Sequence, residues 1–383
     1  MTASPFDLET LLQEATEKTQ LTDFGPHDFR EGLGVLLETY KHNNFTEKGQ
    51  KRLRRRVLDL LCARLRIEAG FKNHPAIRDE IIQAPLFLTG LPRTGTSALL
   101  NLLSCDPASR PLYLWEGFNP DPLPGNPTKN DDPRYQGMRA YYDKMNQDPA
   151  FKKIHATSPD TPEECIHLLN HTFQDVQYGF ETMLEPYGNW FQQQDLTASY
   201  NYYGDILKML QWQRPGERWL LKTPAHLWAL DHLVRLFPDC KIIITHRNPV
   251  ESVTSYASMM AALMKDRDFD LRALGPVVME YLARKLEKSF ALRQEISEQQ
   301  IVDLRFSEFI DNPMAVVDRI YGHFELPTSN EMINVMKSHV AAHPMGKHGK
   351  HEYELEKFGL SERGIMDRFE WYLAFLGEIG EVS

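Results

Sequence analysis

Gly90-Leu91-Pro92-Arg93-Thr94-Gly95-Thr96-Ser97 gathers two glycines, one cation and three hydroxyls between an apolar run and a helix-forming segment. Glycine lets backbone N–H groups come close to an anion, and the first turn of a helix adds partial positive charge. Arg93, Thr94, Gly95, Thr96 and Ser97 are therefore candidates for holding a phosphate or sulfate. The pattern departs from the Walker A loop, because it has no Gly-Lys-Ser/Thr and its cation, Arg93, stands earlier in the loop. An ordinary tight turn is the plain alternative.

A second constellation closes the apolar run Lys241 to Thr245 with His246-Arg247-Asn248-Pro249. Kinases and NTPases place a magnesium-linked aspartate at such a strand end. A cation there instead implies that side chains meet the charge of the ligand. Arg247 and Ser255, eight residues apart, span the strand end and the following helix turn, so both can grip one phosphate. Lys222 ends a third apolar stretch, Arg218-Trp219-Leu220-Leu221-Lys222, where it can stabilise charge on a departing oxygen. A surface or structural ion pair is the alternative for both cations. His226 follows close behind.

These side chains need strands that end together. Pro85 to Thr89, Arg218 to Lys222, Lys241 to Thr245 and Gln300 to Leu304 read as short buried strands, and Leu112 to Glu116 as a further one. Helical patterns alternate with them, among them Glu163 to Phe173, Leu227 to Leu236 and Leu274 to Glu298. The fold class expected is α/β: a P-loop-like parallel β-sheet flanked by helices. Residues 1–80 read as a helical N-terminal segment packed on the core, and 81–383 as the α/β domain. A helical, substrate-side insertion falls at about 119–215; its many aromatics suit either a pocket or a helical core.

Hydrophobic residues make up 42% of the chain and charged residues 25%, enough to bury a core without a disulfide or metal staple. Cys62, Cys105, Cys165 and Cys240 are scattered, with no Cys-x-x-Cys pair, which favours reduced, mostly buried thiols. A net charge of −10 argues against a general partner in nucleic acid or anionic membrane. The basic run Lys51 to Arg56 reads as a solvated helix face. No run approaches the length of a transmembrane segment, and the acidic start lacks a signal-peptide pattern, so the expected location is the cytoplasm.

Together the quoted motifs resemble those of sulfotransferases that use 3′-phosphoadenosine 5′-phosphosulfate (PAPS). Gly90 to Ser97 is similar to their 5′-phosphosulfate loop, and His246 to Pro249 with Ser255 to their 3′-phosphate motif. Leu304-Arg305-Phe306-Ser307-Glu308-Phe309-Ile310-Asp311-Asn312-Pro313 resembles the segment near the adenine, although many relatives carry Tyr where Phe306 stands. The likeness covers roughly residues 74–373. It implies metal-independent transfer of a sulfuryl group to a hydroxyl or amine of an acceptor the sequence does not name, with PAP (adenosine 3′,5′-bisphosphate) as product. It also implies a carboxylate or imidazole that takes the acceptor proton. Glu116, placed after the loop as in tyrosylprotein and some bacterial relatives, is the expected base, with His155, His167 and His171 as rivals. Lys222 and Arg93 steady the leaving and sulfuryl oxygens. Lys347 and Lys350, in the Gly/Lys/His-rich stretch 343–351, either fold over the 3′-phosphate or form a mobile basic loop. A P-loop kinase or NTPase is the alternative enzyme, and a nucleotide-binding protein without turnover the alternative non-enzyme.

Overall fold

The computed structural model of the chain describes residues 4–26, 28–125, 127–145, 147, 158–174, 183–264, 266–343 and 355–381. Five parallel strands form one sheet: β1 Leu86–Gly90, β2 Ser109–Pro111, β3 Arg218–Lys222, β4 Lys241–His246 and β5 Ile301–Arg305, in the order β2-β3-β1-β4-β5. Every residue of β1 and β3 is buried, as a parallel sheet covered on both faces requires. Side chains alternate between the two faces. Phe87, Leu221, Ile242 and Ile244 enter a large core that also takes in the N-terminal helices. Leu86, Leu88, Leu220, Ile243 and Leu304 point the other way, onto Leu99, Leu102 and Leu103 and the Pro313–His323 helix.

The N-terminal residues form helices α1 Leu8–Thr19, α2 Phe29–His42 and α3 Glu47–Asn73. Thr46 starts α3 by accepting a hydrogen bond from the Gly49 N–H at 3.1 Å. The basic run on α3 is tied down by carboxylates: Lys51 with Glu47, Arg52 with Asp266 and Arg54 with Glu14, at 2.6, 3.0 and 2.6 Å. The run lies on a helix with Lys51 and Arg52 exposed, as expected of a solvated face, and the carboxylates that pair with it are an addition the structure makes. Deeper in α3, buried Arg64 donates to the carbonyls of Phe24 and His171, which fixes the helix against the middle of the chain. Cys62, Cys165 and Cys240 are buried. Among the described residues no helix is long and apolar enough to cross a membrane.

Two predicted elements differ. Leu112 to Glu116 is not a strand: β2 ends at Pro111, and Leu114–Phe118 is a short helix. The Glu116 carboxylate turns back to accept the Tyr113 N–H at 3.2 Å, which closes that helix start. The helix expected from Glu163 is shorter, running Ile166–Leu169 before a 3₁₀ turn. The reason is hydrogen bonding: the Glu163 N–H goes to Leu112 O and the Cys165 N–H to Lys222 O, both at 2.8 Å. The segment is thus held along β3 before it coils.

β1 lies between β3 and β4: the chain builds β2 and β3 on one side, then passes β1 to build β4 and β5 on the other, and ligands of such sheets sit outside the strand ends at that switch point. The register places Gly90 opposite Thr245, Leu88 opposite Lys222 and His246 opposite Arg305. The C-terminal ends of β1, β3, β4 and β5 therefore lie along one edge of the sheet.

Candidate active site

The loop after β1 is built on two positions of unusual backbone. Arg93 has φ +71° and Gly95 φ +85°, and Gly95 is directly followed by α4, Thr96–Leu103. A Cβ at Gly95 would stand 2.5 Å from the Phe306 ring. The loop is thus clamped between α4 and the segment after β5. No side chain caps the start of α4, which leaves its first-turn N–H groups facing outward for an anion. Gly95→Ala should destabilise the fold by about 1–2 kcal/mol from the left-handed backbone alone. Displacement of Phe306 adds to this, so both the urea midpoint and nucleotide affinity should fall.

Thr94 behaves differently from its neighbours. It was expected among the ligand-gripping hydroxyls, but its side chain is buried, donating to Leu91 O at 2.7 Å and pairing with the Thr245 hydroxyl at 2.6 Å. It shapes the loop and locks it to β4. Thr96 and Ser97 do line the cavity.

Arg247 and Ser255, expected to share one phosphate, are both joined to Arg93. Arg93 Nε donates to Ser255 Oγ at 2.9 Å, and Arg247 Nη1 donates to the Arg93 carbonyl at 2.8 Å. Asn248 caps the Pro249–Leu263 helix by accepting the Val250 N–H, and that helix turns Ser255 toward Arg93. Phe306 lies under the Arg247 guanidinium, 4.4 Å from ring centre to Cζ. His246 points away from the site: it is buried between Asp303 Oδ1 at 2.8 Å and the Tyr372 hydroxyl at 3.0 Å.

Lys222 is buried at the end of β3, and its ammonium donates to Ser97 Oγ at 3.1 Å and to Glu164 Oε1 at 2.6 Å. Thr223 Oγ1 donates to the other oxygen of Glu164 at 3.3 Å. Burial would raise the Glu164 carboxyl, but the Lys222 ammonium outweighs it and holds the group below the usual carboxylate range. Glu164 is therefore ionised at neutral pH and sits beside the anion loop. His167 lines the same cavity, and burial pushes its imidazole down to about 4.

Glu116 does not reach this cavity. Its carboxylate is buried and accepts from Arg110 at 3.0 Å and from Arg214 at 3.0 and 2.9 Å, besides the Tyr113 N–H. Burial works against its charge, yet the two guanidiniums keep its carboxyl below the ordinary value. With every lone pair engaged it has nothing to offer an acceptor proton, and the assignment as base fails on geometry. His171 is likewise structural, bonded to Gly117 O at 3.0 Å, and His226 lies in the core against the Tyr200 hydroxyl at 3.0 Å. His155, Lys347 and Lys350 lie outside the described residues.

The cavity that joins these groups measures about 550 Å³. Its lining includes Pro92, Arg93 and Gly95 to Ala98 of the loop with Arg247 and Phe306, then Glu164, His167 and Thr223, and an apolar wall of Tyr256, Met259, Met260, Leu263 and Tyr281, with Lys285 also on the lining. Sequence reading missed Glu164 and Lys285. Glu164 carried only a faint signal, an acidic pair ahead of an apolar turn. Lys285 carried a clearer one, since it interrupts the buried stripe Val278, Tyr281, Leu282, Ser289 of a helix.

A parallel sheet with an uncapped, arginine-bearing loop beside its switch point is the layout of nucleotide-binding α/β proteins. Within that class, the model of the Sulfotransferase family matches residues 85–330, and the chain belongs to that family. The chain is 31% identical to the sulfotransferase STF1 from Mycobacterium tuberculosis H37Rv, covering 95% of this chain and 98% of that one, with a TM-score of 0.83. It is 26% identical to the sulfotransferase STF9 from Mycobacterium avium, over 96% of each chain, with a TM-score of 0.86. No curated protein matches the sequence. The protein is a sulfotransferase, an enzyme that moves a sulfuryl group from PAPS to an acceptor.

Proposed function

We propose that the protein sulfates a hydroxyl or amine of a small molecule without a metal, using Glu164 as general base. The observation that carries this is that Arg93, Ser97 and Glu164 line one cavity, with the buried Lys222 ammonium joining Ser97 to Glu164. PAPS supplies the sulfuryl group, whose bond to the bridging phosphate oxygen breaks as the acceptor oxygen or nitrogen joins sulfur. The residues present suit such an anion. Arg93, Arg247 and the hydroxyls of Thr96, Ser97 and Ser255 are donors, and the start of α4 adds uncapped N–H groups.

In this reading Arg247 and Ser255 hold the 3′-phosphate and Phe306 lies near the adenine. Arg93, Gly95, Thr96 and Ser97 hold the phosphosulfate end. Glu164 accepts the acceptor's proton at Oε1 or Oε2. Lys222, poised on Ser97, offsets the charge left on the leaving oxygen. Thr94 contributes through the loop's shape. An acidic chain with buried thiols suits the cytoplasm, where we place the reaction.

The test is a thermal-shift titration with PAP, ADP and ATP, each with and without magnesium. PAP at about 100 times its Kd should stabilise the fold by about 2.7 kcal/mol, with no need for magnesium. Arg247→Ala should weaken PAP about 10- to 100-fold, the range expected for a charge-assisted hydrogen bond of roughly 1.5–3 kcal/mol. Stabilisation by ATP only, and only with magnesium, would replace this reading with a kinase.

A further inference from the structure

The cavity holds a charge that the transfer chemistry does not use. Lys285 lies on the Leu271–Arg293 helix, is 1% exposed and lines the cavity. No hydrogen bond or ion pair to its ammonium is found among the described residues, and the Tyr281 ring centre lies 5.8 Å from it. Glu164 acts on it through space, but that carboxylate is already bonded to Lys222 and Thr223. On its other side buried His226 is driven to its neutral form by burial and by Lys285 itself, so it offers no counter-charge. Burial pushes the Lys285 ammonium down to about 7, with Glu164 opposing. A lysine kept in such a place loses hydration that nothing in the fold restores.

The walls around it are of another kind. Tyr256, Met259, Met260 and Leu263 come from the Pro249–Leu263 helix, and Met side chains adapt to varied apolar shapes. This wall therefore suits an apolar body with one negative charge. A dianionic phosphate would call for further cations, and the other cations among the described lining residues, Arg93 and Arg247, belong to the loop after β1 and the end of β4.

We propose that Lys285 is the acceptor-recognition residue, pairing with a carboxylate carried by an otherwise apolar acceptor whose hydroxyl or amine is thereby directed toward Glu164. The assignment rests on the sulfuryl-transfer reading of the same cavity. It names a substrate class, an apolar carboxylic acid bearing a hydroxyl or amine, and it makes Lys285 a specificity residue rather than a catalytic one.

The experiment uses the full chain saturated with PAP, titrated calorimetrically with octanoate, 1-octanol and octylamine. Octanoate is expected to bind at least about tenfold more tightly than 1-octanol, since a charge-assisted bond contributes about 1.5–3 kcal/mol. Octylamine should bind more weakly than either. Lys285→Met should bring octanoate to the level of 1-octanol with PAP affinity unchanged, and Lys285→Arg should restore part of the preference. Equal binding of octanoate and 1-octanol by the unmodified protein, no binding of any of the three, or an unchanged preference in Lys285→Met each overturns the assignment. The first two need no variant, so poor folding of Lys285→Met would not shield it. Failure of PAP itself to bind would strike the transfer reading instead, and so the two failures are told apart.

Discussion

Glu164→Gln is expected to lower kcat by about 10²- to 10⁴-fold, the usual contribution of a positioned general base, while PAP affinity changes little. Glutamine keeps the size of the side chain and a carbonyl that can accept from Lys222 Nζ, but it cannot take a proton. The position is suited to the task because two backbone bonds, to Leu112 O and Lys222 O, hold the residues on either side of it. A carboxylate so pinned, 2.6 Å from an ammonium that also touches Ser97, stands where acceptor and donor must meet. His167 is the neighbour to compare: neutral at pH 7, it could accept a proton too. His167→Asn should cost less than about tenfold if Glu164 is the base. Single-turnover sulfation with PAPS and an accepted hydroxyl compound would decide it. Full turnover in Glu164→Gln would remove the assignment.

Glu116→Ala should do something else entirely, lowering stability by about 3–5 kcal/mol, as breaking a buried ion pair from one side does. The loss would strand Arg110, which is 4% exposed, bonded to Arg214 O at 2.7 Å and stacked over Trp219 at 3.7 Å. Burial already pulls that guanidinium down to about 9, with Glu116 as the group opposing the shift. Glu116→Gln retains acceptor oxygen and shape and should cost less, about 1–3 kcal/mol. Urea denaturation of the two variants checks the difference. Below the denaturation midpoint, both should bind PAP as the unmodified protein does. A stable Glu116→Ala protein with normal PAP binding and abolished turnover would return Glu116 to the reaction.

The contrast between these two glutamates shows where sequence reading stops. Glu116 closes a short apolar segment just after β2, whereas Glu164 stands in an acidic pair ahead of an apolar turn, far along the chain from any strand. Glu116 looked better placed because Leu112 to Glu116 has the composition of a strand that would carry it to the loop's mouth. The chain coils at Leu114 instead, and two arginines, one of them Arg214 almost a hundred residues later, close on the carboxylate. Nothing local announces Arg214 as a partner. Thr94 was misjudged for a similar reason: Thr96 and Ser97 face the cavity while Thr94 faces Thr245, across the sheet.

The elements that the sequence did reveal have their places fixed by neighbours in sequence. Gly95 must precede a helix start, Arg247 must follow a buried strand, and Asn248-Pro249 must begin the next helix, so their places follow from local backbone rules. Those rules were enough for the α/β class, the parallel sheet and the loop between β1 and α4. Which carboxylate faces the donor, and which lysine stays unpaired in an apolar wall, depended on contacts between segments tens to hundreds of residues apart. Such contacts are set by how the helices fill the space around the sheet. Charge in a buried place is governed by the partners packing brings to it, and only the tertiary structure supplies those.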